Sequence, residues 1–172
     1  MRIGCPCTHW VLVVMDQCTR RIVGFGVHCG VIDGVGLCRM FNRATRGHTP
    51  PRYLSSDHDP LYRFQQWQAN MRILDVKEIK TVPYVPLSHP FVERLIGTIR
   101  RECLDRTLFW TVADLEMKLV DFQQYYNGYR AHAGLCGRTP EPSTDASGAR
   151  ARVGQDRWRR HGRGRYQTPI AA

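Results

Sequence analysis

The 172-residue sequence lacks any apolar run of the roughly 18 residues that a membrane-spanning helix needs. It also lacks an apolar segment near Met1, so we expect no secretory signal. The seven cysteines are odd in number and form no CxxC pair, and Cys5-Pro-Cys7 with His9 fits no common zinc spacing. We therefore expect reduced thiols in a cytoplasmic protein, without a membrane span, a disulfide framework or a zinc module.

Acidic residues are scarce, because 15 Asp and Glu stand against 25 Lys and Arg, giving a net charge of +10 and a pI near 9.7. This balance predicts attraction to polyanions, of which nucleic acid is the usual one. Half of the charge lies in residues 143–172, where seven Arg and two Asp give +5. We expect residues 141–172 to be a basic, disordered tail that attracts DNA backbone, with Trp158 and Tyr166 stacking on bases.

Apolar patterns along the rest of the chain predict an α/β domain in the order β-β-α-β-α-β-α-α. Predicted strands cover residues 9–15, 20–27, 53–57 and 79–85, and predicted helices cover residues 33–46, 60–71, 88–104 and 112–129. Asp33 is the expected cap of the first helix, and Pro60 is expected to open the second. The chain thus divides into an atypical amino end (1–8), one domain (9–140) and the tail (141–172).

Two acidic residues stand where predicted elements begin or end. Asp57 closes a short strand and Glu93 lies in the first turn of a helix, with 35 residues between them. Acids in such positions can converge at one sheet edge and hold a hard divalent cation such as Mg²⁺ through oxygen ligands. Paired ions of this kind activate a water or a 3′-hydroxyl. The residues alone leave a plainer alternative open, in which Asp57 forms a turn and Glu93 favours the helix dipole.

The predicted helix around Glu93 separates apolar from polar residues. Residues that recur every fourth position should face the core, and these are Phe91, Leu95, Ile99 and Cys103, with Val92 and Ile96 beside them. Another face carries Glu93 and Gly97, and Gly97 removes bulk where a DNA backbone can approach. Arg94, Arg100 and Arg101 suit phosphate contacts. A solvated basic face is the alternative.

Three segments and a closing motif resemble the integrase catalytic core shared by retroviral integrases and bacterial insertion-sequence transposases. The segments are residues 9–27, residues 53–62 around Asp57, and residues 84–98 around Glu93. The 35-residue gap between the two acids is also that of the family. The closing motif consists of Tyr126-Asn127, Arg130, His132, Leu135 and Thr139-Pro140. The resemblance covers residues 9–140.

The resemblance implies a ribonuclease H-like fold, with a five-stranded mixed sheet flanked by helices. It implies cleavage and transfer of DNA strands that depends on Mg²⁺ or Mn²⁺, with Asp57 and Glu93 as metal ligands. It implies that Arg100 faces donor DNA. The implied partners are transposon ends and target DNA near the nucleoid, together with a second copy of the chain or a full-length transposase.

The sequence departs from the family at its first catalytic Asp, whose position falls at or before Met1. Since residues 1–8 contain no acid, we expect the first strand and its Asp to be missing and catalysis to be impaired. Asp16 is a doubtful third carboxylate, because it matches a non-catalytic family residue, and Asp59 stands where the family has Gly. Two alternatives to a transposase core stay open: a non-catalytic remnant that binds DNA or a transposase subunit, and a nuclease acting on RNA–DNA hybrids.

Overall fold

The structure is a computed structural model that describes residues 8–56, 59–80, 90–141, 157–162 and 166–170. Its strands are β1 (His9–Met15), β2 (Ile22–Cys29), β3 (Tyr53–Ser56), β4 (Lys77–Lys80), β5 (Arg157–His161) and β6 (Tyr166–Ile170). Its α-helices are α1 (Gly34–Ala44), α2 (Gln65–Ile73), α3 (Pro90–Glu102) and α4 (Val112–Gly128). The predicted element order is confirmed from β1 through α4, and β5 and β6 are added beyond it.

The β1–β2 hairpin separates two hydrophobic cores, one packed on each of its faces. Its strands pair antiparallel from His9 opposite Cys29 to Met15 opposite Ile22. Because successive side chains of a strand point to opposite faces, the apolar run of β1 serves two clusters. One face holds Val11, Val13 and Met15, and the other holds Leu12 and Val14.

The two clusters are separate groups of buried residues. The α3–α4 core consists of Ile22, Leu95, Ile99, Cys103, Leu115, Leu119, Phe122, Tyr126 and Tyr166. The α1–α2 core consists of Ile32, Leu37, Met40, Phe41, Trp67, Met71 and Val76. Trp67 is fully buried there, and its ring meets that of Phe41 edge to face at 5.3 Å.

Helix α1 begins as the sequence predicts and lies against β2. The Asp33 side chain accepts a hydrogen bond from the Gly36 amide at 2.6 Å, which caps the helix. The helix crosses β2 at Gly24 and Gly26, where a Cβ atom would collide with the carbonyl groups of Ala44 and Met40. The two glycines therefore permit a close approach that no larger residue allows.

The helix predicted over residues 60–71 is divided in the structure. Pro60–Arg63 forms a 3-10 helix that the Asp59 side chain caps by accepting a bond from the Leu61 amide at 2.9 Å. Phe64 then adopts an extended conformation with ψ 136°, and α2 begins at Gln65. This local role explains an Asp at position 59, where the resembling family has Gly.

Strand pairing is mixed, as predicted. Strands β3 and β4 pair in parallel, with Tyr53 opposite Lys77 and Ser56 opposite Lys80. Within the described ranges, β1–β2 and β3–β4 are two separate two-stranded sheets, so the five-stranded sheet implied by the resemblance is not formed there. Strand β4 begins two residues before the predicted strand, whose residues 81–85 lie outside the described residues.

The carboxyl-terminal region differs from the disordered tail that we expected. Strands β5 and β6 pair antiparallel, with Arg157 opposite Ile170 and His161 opposite Tyr166. Tyr166 is 7% exposed and belongs to the α3–α4 core, so it is not available to stack on bases. The arginine-rich composition of this region did not indicate that Tyr166 packs in the core. No helix in the described part of the chain is long and apolar enough to cross a membrane.

Candidate active site

Helix α3 carries the predicted catalytic Glu93 and packs by one face on α4. Leu95, Ile99 and Cys103 are at most 4% exposed, so the predicted core positions are confirmed for these three residues. The prediction is wrong for Phe91, which is 40% exposed, and for Ile96, which is 39% exposed. Phe91 lies in the first turn of the helix, where the Arg20 guanidinium covers its ring, and Ile96 lies beside the buried stripe that contains Leu95, Thr98 and Ile99.

The polar face of α3 is exposed to solvent. Glu93 lies in the first turn of the helix, and Arg100 and Arg101 lie in the last turn. All three side chains are exposed, as is that of Arg94. In the described part of the chain, no hydrogen bond or ion pair engages the Glu93 carboxylate. Among the described residues, no partner therefore competes with a ligand from solution for the Glu93 carboxylate.

Gly97 has a neighbour that the sequence did not reveal. A Cβ atom built on Gly97 would lie 3.2 Å from an Nη atom of Arg101. The missing side chain thus makes room for the Arg101 guanidinium to lie back along its own helix. The expectation that Gly97 admits a DNA backbone stays a prediction.

Asp57, the other predicted metal ligand, lies outside the described residues, so its distance from Glu93 stays a prediction. The structure does describe the strand end that precedes it. The Ser56 hydroxyl donates to Glu78 at 2.6 Å, and the Gln68 amide donates to the other Glu78 oxygen at 3.0 Å. This network fixes the end of β3 against β4 and α2, immediately before Asp57. Sequence reasoning missed it because Glu78 precedes the predicted strand over residues 79–85 and its partner Ser56 is 22 residues away.

Asp16 is engaged in the turn between β1 and β2. Its two carboxylate oxygens accept bonds from the Cys18 amide at 2.9 Å and the Thr19 hydroxyl at 2.7 Å. The Thr19 hydroxyl bond is the main reason why the pKa of Asp16 lies below its ordinary value. This turn explains the residue without a metal, and a role as third carboxylate remains untested. No group of three His, Cys, Asp or Glu side chains that could hold a metal ion occurs among the described residues.

Helix α3 is held at both ends. At its start, the Arg20 guanidinium lies 3.2 Å from the centre of the Phe91 ring, which ties the β1–β2 turn to the helix. At its end, Arg130 donates two hydrogen bonds to Glu102, at 2.9 and 3.1 Å. Glu93 lies between these two contacts. Its backbone position is therefore fixed by groups from both sides of the α3–α4 core.

The closing motif turns out to hold elements together. Asn127 is 3% exposed and bonds both backbone groups of Ile22: its Oδ1 accepts from the Ile22 amide, and its Nδ2 donates to the Ile22 carbonyl, each at 2.9 Å. Gln123, one turn earlier, donates to the carbonyls of Ile22 and Val23. The side-chain amides of Asn127 and Gln123 therefore hydrogen-bond the backbone of the first two residues of β2, Ile22 and Val23. No local sequence pattern indicates this role, since Asn127 and Ile22 are 105 residues apart.

Arg130 and His132 continue this motif beside the end of α3. The hydrogen bonds that Arg130 donates to Glu102 are the main cause that raises the pKa of Arg130 above its usual value. Burial lowers the pKa of His132, whose ring meets that of Tyr126 edge to face at 4.5 Å. His132 is thus favoured in its neutral form.

Comparison with known proteins gives a family match and several similar chains. Residues 74–140 match the integrase core domain family. An uncharacterized 39.2 kDa protein of insertion element IS476 from Xanthomonas euvesicatoria is 29% identical over 129 residues, which are 75% of this chain and 37% of that protein. The transposase for insertion sequence element IS904 from Lactococcus lactis is 22% identical over 136 residues, covering 78% of this chain and 54% of that transposase.

A solved structure shows the fold independently. The catalytic core domain of HTLV-2 integrase, in complex with magnesium, superposes with a TM-score of 0.55 at 17% identity, covering 78% of this chain and 88% of that domain. At this identity the likeness concerns the fold alone. This chain spans about four tenths to half of the length of its two insertion-element relatives. Together, these matches show that the chain is similar to catalytic cores of the integrase and transposase type and has an α/β fold of the ribonuclease H-like class.

Proposed function

We propose that this chain carries out metal-dependent cleavage and transfer of DNA strands in transposition, with Asp57 and Glu93 as ligands of Mg²⁺ or Mn²⁺. The main support is the state of Glu93, an exposed carboxylate in the first turn of a helix that is held at both ends. Preorganised groups of this kind lose little freedom when a cation or substrate binds. The insertion-element relatives support DNA as the substrate.

The donor chemistry fits a hard cation. Asp57 and Glu93 both offer carboxylate oxygens, which Mg²⁺ prefers over nitrogen and sulfur ligands. The related HTLV-2 integrase core was solved in complex with magnesium. Such a cation supplies activation of the attacking oxygen and stabilisation of the leaving oxygen. The ligand role of Asp57 rests on its place directly after the fixed end of β3.

The arginines of α3 supply the electrostatic part of the proposed function. Arg94, Arg100 and Arg101 are exposed on the helix that bears Glu93. Their guanidinium groups can pair with phosphate oxygens and position a DNA backbone along α3. The dimeric form of the HTLV-2 core suggests that this chain also self-associates, and we propose that it works on chromosomal DNA in the cytoplasm.

A cleavage assay tests the proposal. Labelled duplexes bearing the ends of the encoding element are incubated with the purified chain and either Mg²⁺ or Mn²⁺, and 3′-end cleavage and strand transfer are measured. We expect Asp57→Asn and Glu93→Gln each to abolish both products while leaving the fold intact. Asp105→Asn is the matched control, because Asp105 is an exposed acid just beyond α3.

The alternative function has its own result in this assay. If the unmodified chain binds the duplex but yields no product with either metal, the proposed chemistry is wrong and a non-catalytic DNA-binding role takes its place. If Asp57→Asn cleaves as well as the unmodified chain, Asp57 is not a ligand.

A further inference from the structure

The most basic segment of the chain lies in the β5–β6 hairpin. Residues 157–170 contain five arginines and no acidic residue, so they hold half of the net charge of +10. The backbone of this segment is paired over five residues on each strand. A charged segment with a paired backbone differs physically from a disordered tail, because less conformational freedom is lost when it binds a partner.

Tyr166 joins the hairpin to α4. Its ring stacks on Tyr125 with centroids 4.5 Å apart and planes 11° from parallel. It also meets the ring of Phe122 at 5.9 Å. Since Phe122 is fully buried and Tyr166 is 7% exposed, Tyr166 anchors the hairpin in the α3–α4 core.

The anchor is next to the carboxyl end of α3. Burial raises the pKa of Tyr125, and the nearby Glu102 carboxylate raises it further. Glu102 is the last residue of α3 and follows the exposed Arg100 and Arg101. Tyr166, stacked on Tyr125, therefore attaches the hairpin near the carboxyl end of the helix that carries Glu93.

We propose that the β5–β6 hairpin is a docked arm that binds the phosphate backbone of duplex DNA and extends the basic surface of α3. This proposal rests on the proposed function, since it assumes that the substrate is DNA. A docked arm binds without the entropy loss that ordering a free tail would require. Its contacts to phosphate are independent of sequence and weaken with salt.

Hydrogen exchange on the unmodified full chain tests the docking. We expect protected amides within Arg157–His161 and Tyr166–Ile170. Tyr166→Ala should abolish that protection and make cleavage after the hairpin arginines by trypsin faster, whereas Tyr166→Phe, which keeps the stacked ring, should resemble the unmodified chain. Unprotected amides in the unmodified chain would overturn the docking, even if Tyr166→Ala failed to fold.

Salt titration of DNA binding tests the partner. Affinity for a short labelled duplex of arbitrary sequence is measured without divalent cations. Replacing Arg157, Arg159 and Arg160 together by Ser should reduce the slope of log affinity against log salt by roughly 0.9 for each phosphate contact that is lost. The matched control replaces Arg39, Arg46 and Arg63, which are exposed and change the net charge equally. Equal slopes for the two triple variants would overturn the proposal.

These measurements fail separately from the proposed function. Binding without divalent cations does not depend on Asp57 or Glu93 acting as metal ligands. A chain that loses cleavage with Asp57→Asn but keeps its slope with the hairpin variant supports the chemistry and rejects the arm. The opposite pair of results supports the arm and rejects the chemistry.

Discussion

The two cores on either side of the β1–β2 hairpin are held by different kinds of contact. The α3–α4 core has directed polar bonds between distant segments, namely Asn127 to Ile22 and Arg130 to Glu102. The α1–α2 core relies mainly on apolar packing and on the approach of α1 to the glycines of β2, and its side-chain hydrogen bonds, such as Gln68 to Glu78, join residues that are much nearer in sequence. Directed bonds specify one geometry, whereas packing tolerates substitutions that keep volume and pattern.

The difference matters because the two proposed ligands belong to different sides. Glu93 lies on α3, and Asp57 directly follows β3, whose Leu54 packs on the α1–α2 core. The hairpin is the element that packs on both cores. The relative position of Asp57 and Glu93 therefore depends on how tightly each core packs against the β1–β2 hairpin.

The largest expected effect comes from adding a methyl group at the close contact between α1 and β2. In Gly26→Ala, the added methyl group would collide with the Met40 backbone, which cannot move without displacing α1. We expect a loss of ~3 kcal/mol in the free energy of unfolding, at the upper end for overpacking. Hydrogen exchange should speed up more in α1 than in α4.

Gly128→Ala is the control for this change, since no atom lies within 4 Å of a Cβ at that helical position. It should be neutral or stabilise the chain by up to ~1 kcal/mol. If Gly26→Ala and Gly128→Ala have the same free energy of unfolding in urea, the close approach of α1 to β2 does not contribute to stability.

Asn127→Ala should have the next largest effect, and on the opposite core. It leaves the Ile22 amide and carbonyl without their side-chain partner in a buried place. We expect a loss of ~2 kcal/mol in the free energy of unfolding. Gln124→Ala, three residues earlier and exposed, is the control. Faster exchange in α1 than in α4 would contradict the assignment of Asn127 to the α3–α4 core.

Sequence reasoning succeeded where structure follows from local patterns. The Asp33 cap, the continuous apolar run of β1 and the four-residue pattern of Leu95, Ile99 and Cys103 depend on neighbours within a few residues. It failed where the partner is distant in sequence, as for Asn127 and Ile22, or where one residue outweighs composition, as for Tyr166. In the candidate site it located Glu93 on the exposed face of α3, but not the two contacts that hold the helix.

A smaller effect should appear with pH, and again in the α3–α4 core. Burial lowers the pKa of His132 in the folded chain, so the unfolded chain binds more protons at mildly acidic pH. The stabilising contribution is complete above the ordinary pKa of about 6.5 and is lost as pH falls through the lower folded value. We expect the free energy of unfolding to fall below pH 6.5, and His132→Gln to flatten this dependence. An unchanged pH profile in this variant would show that other groups cause it.

The smallest expected effect concerns the ion pair that links the two sides directly. Arg43 on α1 meets Glu116 on α4 at 2.6 Å, and the Arg43 side chain is 59% exposed. Because solvent screens such a pair, a double-mutant cycle of Arg43→Ala and Glu116→Ala should give a coupling of at most ~0.5 kcal/mol, with Arg39→Ala as the exposed control. A coupling above ~2 kcal/mol would mean that this ion pair contributes strongly to holding α1 against α4. The β1–β2 hairpin would then not be the element that determines the distance between Asp57 and Glu93.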